Sequence, residues 1–146
     1  MFETILVAVD ASDASREALD VAATLAAKLG SKLILLCVID VTKLLAVAGY
    51  ETPYPVDVVE TMREDAETTL EECRGACEGK AAVSTLTGEG DAAEEILRVA
   101  NEQKVDLICI GTHGRTGISR LFLGSVAESV LRRSEVPVLV TSRKDT

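Results

Sequence analysis

Short apolar runs alternate with segments of helical period along the whole chain, and this alternation restricts the fold more than any other feature. Strands are predicted at Ile5 to Val9, Leu33 to Ile39, Ala81 to Thr87, Val105 to Ile110 and Val138 to Thr141. Most of these runs are apolar at consecutive positions, as in strands covered on both faces. The segments between them repeat apolar residues every three or four positions, as helices do. Ala18, Val21, Ala22, Leu25, Ala26 and Leu29 form one such stripe. Val59, Met62, Ala66, Leu70, Cys73 and Cys77 form another. Strand and helix in strict turn predict a parallel, doubly wound five-stranded sheet with helices on both faces. The 146 residues suit one domain, 1–146, of ordinary size.

Helix boundaries are marked by local chemistry. Ser12 or Asp13 can cap the first helix, and Gly30 ends it. Asp91-x-x-Glu94 has the spacing of a capping box and opens a helix to about Asn101. Ser125-x-x-Glu128 has the same spacing and sets a helix start beside Gly124. Gly79 closes the helix whose outer face carries Glu60, Glu64, Asp65, Glu67, Glu71 and Glu72, a solvated acidic face. Residues 40–56 interrupt the pattern with Gly49, Pro53, Pro55 and an apolar patch from Leu44 to Ala48. Such a connection is long for a compact domain. It reads as a short surface helix and turn, the alternative being a flap or a contact between copies.

The strongest candidate for chemistry is GTHGRTGISRLFLGS, Gly111 to Ser125. It follows the fourth strand and precedes the helical pattern VAESVLRR, with glycines spaced Gly111-x2-Gly114-x9-Gly124 and Ser125 next. Glycine permits close approach of backbone to a ligand. A helix opening after Gly124 presents unpaired amides and the positive end of its dipole, so strand, loop and helix together predict a phosphate site. The loop is not a Walker A motif, because the one Gly-Lys pair, Gly79-Lys80, is followed by Ala81. The first turn, VDASDAS, holds no glycine, so a dinucleotide fingerprint is absent too. Arg115 and Arg120 either reach phosphate or stay solvated. His113 is the one histidine, and no partner is visible to orient it for catalysis.

The spacing G-x2-G-x9-G-[S/T], followed by a short helix and PVLVTS, resembles the nucleotide-binding signature of the universal stress protein family. ILVAVDAS resembles that family's first strand and acidic turn, and LILLCVID its second strand. The resemblance covers essentially the whole chain. It implies an adenine nucleotide alpha-hydrolase-like sheet of order 3-2-1-4-5, with strands one and four adjacent at the topological switch point, where ligands of such sheets bind. It implies ATP, or another adenine nucleotide, bound with Mg²⁺. Ala8, Asp10, Val38, Ile110 and Gly111 would line the adenine and ribose side, and Gly114, Gly124, Ser125 and Val126 would cradle the phosphates. Asp10 would stand near the ribose or a phosphate-bound Mg²⁺. The resemblance also implies a homodimer through Val138–Thr141, which resolves the exposed apolar edge of the last strand.

Charge and cysteines narrow the setting. Twenty-four acidic against fifteen basic residues give a net charge of −9, which opposes nonspecific binding to nucleic acid or an anionic membrane. No apolar run reaches the roughly 18 residues of a membrane span. The start, MFETILVAVD, lacks the basic region of a signal peptide. Cys37, Cys73, Cys77 and Cys109 fall on apolar runs or stripes without metal-ligand spacing, so they read as buried thiols in a reducing, cytoplasmic setting. The expected function is a dimeric, nucleotide-dependent regulatory module of the stress response. Two alternatives stay open: a slow ATP hydrolase, turning over far below the usual 1 to about 1000 per second, and a ligand-free interaction protein of the same fold. A phospho-receiver would need an aspartate after the third strand, where Thr87-Gly88-Glu89 stands.

Overall fold

The computed structural model describes residues 1–42, 56–112 and 123–142. Five strands, β1 (Thr4–Ala8), β2 (Lys32–Ile39), β3 (Ala82–Glu89), β4 (Leu107–Gly111) and β5 (Val138–Thr141), form one sheet of order β3-β2-β1-β4-β5. Every neighbouring pair is parallel. The helices are α1 (Asp13–Leu29), α2 (Val56–Ala76), α3 (Ala92–Glu102) and α4 (Ser125–Arg133). The predicted architecture and strand order are those observed.

Alternation of side chains along each strand builds two cores from one sheet. Ile5, Val7, Leu33, Leu35, Leu107 and Cys109 point to the face covered by Leu19, Ala22 and Ala26 of α1 and by Ala66, Leu70 and Cys73 of α2. Leu6, Ile34, Leu36, Ile108 and Ile110 point to the other, under Ile96 and Val99 of α3 and Ala127 and Val130 of α4. β1, β2 and β4 are therefore apolar at consecutive positions, whereas β3 and β5, at the edges, are mostly half-buried or exposed. The acidic residues named on the outer face of α2 are all exposed, as their pattern requires.

Most strand ends differ from expectation by a residue, and three local differences are larger or have a clear cause. β4 starts at Leu107 rather than Val105, because the Val105 amide donates to Ala100 O at the end of α3 and is spent closing that helix. β3 runs on to Glu89, because β2 reaches Ile39 and the parallel register pairs Val38 with Gly88 and Ile39 with Glu89. The Ser125-x-x-Glu128 spacing does not make a capping box. Gly124 is the N-cap and supplies no side-chain bond, Ser125 is the first helical residue, and Glu128 pairs with Arg132 at 2.8 Å. N-cap bonds form at the other two starts: Ser12 accepts from the Ser15 amide, and Asp91 from the Glu94 amide.

All four cysteines are buried and free. Burial pushes the Cys109 thiol up to about 12 and the Cys37 thiol to about 11, the latter helped by the nearby Asp10 charge. A raised thiol pKa means the folded state binds the proton more tightly than the unfolded one. The stability these thiols contribute is thus complete below their ordinary value of 9.0 and is lost as pH rises through about 11 for Cys37 and about 12 for Cys109. A thiol reagent at neutral pH is expected to leave all four unmodified until denaturant unfolds the chain. Rapid labelling of the native protein would show that the cores open far more easily than this packing implies.

Candidate functional site

β1 ends in a turn locked by three bonds that run in a circle. The Ser12 amide donates to Asp10 Oδ1 at 2.7 Å, the Ser15 amide to Ser12 Oγ at 3.2 Å, and the Asp10 amide to Ser15 Oγ at 2.8 Å. Short polar side chains of this kind bond the backbone a few residues on, which is why they occupy turns and caps. β2 ends in a related turn. Asp40 Oδ1 accepts the Thr42 amide at 3.1 Å, while its Oδ2 lies 3.4 Å from the Ala92 amide at the start of α3.

On the other side of β1, β4 delivers Gly111. A Cβ at this position would stand 2.4 Å from the carbonyl oxygen of Ala14, in the first turn of α1. The requirement for glycine is therefore spatial: α1 lies directly against the end of β4. Beyond it, Thr112 is buried and clamps β4 to β5, its amide and its Oγ1 both donating to the Thr141 carbonyl at 3.0 and 3.3 Å.

Gly124, buried, leads into α4, and the first bond inside that helix runs from the Glu128 amide to Gly124 O. The amides of Ser125, Val126 and Ala127 precede it and have no partner within the helix. With the dipole of α4 behind them they form a surface suited to an anion.

These parts surround one cavity of about 140 Å³ at the C-terminal ends of β1, β2 and β4. Leu36, Ile96 and Ile110 give it apolar walls, and Asp10, Ser12, Ser15 and Asp40 bring polar groups to it. Of the residues singled out in the sequence, Ala8, Asp10, Val38, Ile110, Gly111, Gly124 and Val126 line it. Ser125 is exposed at the start of α4 and does not line the cavity. Gly114, Arg115, Arg120 and His113 lie outside the described residues, as does most of the 40–56 connection. Ser15, Asp40, Ala92, Ile96 and Ala127 also line the cavity and were not singled out. A signal for Asp40 was available: VDAS and IDVT close the first and second strands with the same Asp-x-Ser/Thr step.

A larger groove of about 410 Å³ lies beside α3 and the end of α4, with Arg98, Lys104, Arg133 and Glu135 among its walls. It is bordered by helix C-termini, which carry carbonyls and the negative end of the dipole, so it lacks the amide donors of the first site. Among the described residues no helix is long and apolar enough to cross a membrane.

A family model described as the universal stress protein family matches residues 1–142. A universal stress protein of Methanocaldococcus jannaschii, MJ0531, is 32% identical over 144 residues, covering 98% of this chain and 84% of the relative. The solved structure of MJ0577, from the same organism, superposes with a TM-score of 0.84 at 31% identity, covering 100% of this chain and 99% of that one. A solved universal stress protein in complex with cAMP matches with a TM-score of 0.62 at 25% identity, covering 97% of each chain.

The contact between Gly111 and Ala14 predicts its own test. Gly111→Ala is expected to lower the unfolding free energy by about 1–3 kcal/mol, because backbone rather than a flexible side chain must give way. Chemical denaturation measures this, and an unchanged midpoint would show that α1 can withdraw from β4 without loss.

Proposed function

The chain belongs to the universal stress protein family, and on that footing we propose that it is a regulatory module of the stress response that binds ATP or another adenine nucleotide. The observation that carries this is convergence on one place. The acidic turn after β1, the glycine at the end of β4 and the start of α4 at Gly124, Val126 and Ala127 all border the same cavity. A cavity of about 140 Å³ is close to one that holds a single aromatic ring. It suits one end of a flat base, with the rest of the base, the sugar and the phosphates leaving across its rim.

In this reading Ala8, Val38 and Ile110 flank the base, Gly111 the sugar, and the amides of Gly124, Ser125 and Val126 the phosphates. Gly114, Arg115 and Arg120 join the phosphate side through their place in the glycine spacing. Mg²⁺, held mainly by the phosphates with Asp10 nearby, would offset anionic charge in a chain already at −9. The complex of a related protein with cAMP supports an adenine ligand. The same reading takes β5 as the homodimer contact. It is an edge strand, and its four residues are half-buried in the isolated chain, an edge that among the described residues pairs only with β4 and that a second copy would cover.

Calorimetric titration of the stripped protein with ATP and Mg²⁺ tests the site. Binding is expected, and Gly124→Val is expected to weaken it roughly tenfold or more, by placing a branched side chain where the ligand meets the amides of α4. Unchanged affinity in that variant would remove α4 from phosphate binding. Sedimentation equilibrium is expected to return twice the chain mass of 15.5 kDa. A monomer mass would remove β5 from its role as a contact.

A further inference from the structure

Two charges on the link between α4 and β5 stand without ion pairs. Arg133 and Glu135 are exposed walls of the groove of about 410 Å³ beside α3, and neither makes an ion pair among the described residues. Neighbouring cations do: Arg132 holds Glu128 at 2.8 Å, and Arg98 holds Glu95 at 2.6 Å and Glu102 at 2.8 Å. The strand that follows, β5, has an open side. The carbonyls of Pro137 and Thr141 accept from the Ile108 and Thr112 amides, both at 3.0 Å, and so face β4. Backbone groups of successive strand residues point to alternate edges. The N–H and C=O of Val138 and Val140 therefore face away from β4, to the free edge.

A strand that meets its own copy edge to edge across a two-fold axis runs antiparallel to it. Bonds exchanged between Val138 of one copy and Val140 of the partner subunit use every outward group of β5. In that register Leu139 faces its own copy, and Thr141 faces the partner's Pro137. Beyond the described residues, the same step carries Arg143 past the partner's Glu135 and Asp145 past the partner's Arg133, opposite charges in both cases. We infer that Arg143 to Asp145 of one copy dock at the mouth of the partner's groove, Arg143 on the partner's Glu135 and Asp145 on the partner's Arg133. This rests on the β5 contact proposed above. The charges also reject the neighbouring registers. A slip of two residues, the smallest that keeps the backbone bonds in phase, sets Arg143 on the partner's Arg133 in one direction. In the other it sets Asp145 on the partner's Glu135. Like charges meet in both, so these four residues fix a register that a short apolar strand leaves open.

The test measures the dimer dissociation constant of the full chain by fluorescence-detected sedimentation over a dilution series, at low salt, where exposed charges are least screened. Exposed ion pairs are individually weak, but the two-fold axis makes each one twice, and a reversal turns attraction into repulsion at both. Glu135→Arg and Arg143→Glu are each expected to raise the constant about fivefold or more. An equimolar mixture of the two variants is expected to dimerise within about threefold of the parent, because a mixed dimer sets opposite charges at both contacts. A mixture as weak as either variant would show that the charges meet within one chain, and would overturn the inference. Single variants that dimerise like the parent would overturn it too, and would leave the groove to a different molecule. Both results leave the β5 contact standing. A parent that stays monomeric would overturn that contact and this inference with it.

Discussion

Burial of β1, β2 and β4 on both faces is the condition on which the rest of the structure depends. Ile5, Leu6, Val7, Leu33, Leu35, Leu36 and Ile108 are fully buried and apolar. Nothing polar can stand mid-strand there without an unmet desolvation cost. Polar chemistry is consequently confined to the strand ends. At the C-terminal end it is concentrated: Asp10 and Asp40 close the two neighbouring strands, and Gly111 closes the third. The same condition explains the alanines of α1. Ala14, Ala18, Ala22, Ala23 and Ala26 let that helix lie close to the sheet, until at Gly111 even a methyl group is excluded.

Much of this was legible in the sequence, because the same periodicities that mark elements also mark faces. Apolar runs without alternation gave the central strands, and stripes gave the helices. The boundaries that shifted did so where long-range pairing overrode local signals. Val105 looks like strand and closes a helix. Gly88 looks like a terminator and is carried into β3 by its pairing with Val38. Ser125-x-x-Glu128 shows a different limit. Its spacing is right for a cap, but glycine already occupies the cap one residue earlier, and the serine hydroxyl falls inside the first turn.

The cavity was only half legible. Glycines and an acidic turn stand out in a sequence; Ile96, Ala92 and Ala127 do not, because they resemble any core residue and reach the cavity only through helix packing. Ser15 was hidden for the opposite reason. Its neighbours make it look like one more capping residue, and its bond back to the Asp10 amide depends on the turn geometry rather than on spacing. Gly111 looked like a ligand-facing glycine, and its tightest constraint proves to be the Ala14 carbonyl. A position can line a site and still be held there by packing.

The order of the strands has a consequence for how the molecule comes into being. β1 is made first and lies at the centre, but its partner β4 begins a hundred residues later; the Thr4 amide and the Asp106 carboxylate that join them are 102 positions apart. Closing a loop of that length is an entropic step that local contacts cannot speed, and it belongs to the slow part of forming a parallel sheet. During synthesis β1 and β2 can pair early, leaving the other flank of β1 open until β4 emerges. Since the cavity lies where the ends of β1 and β4 meet, it exists only after that last long closure, and a chain that holds ligand there has finished folding.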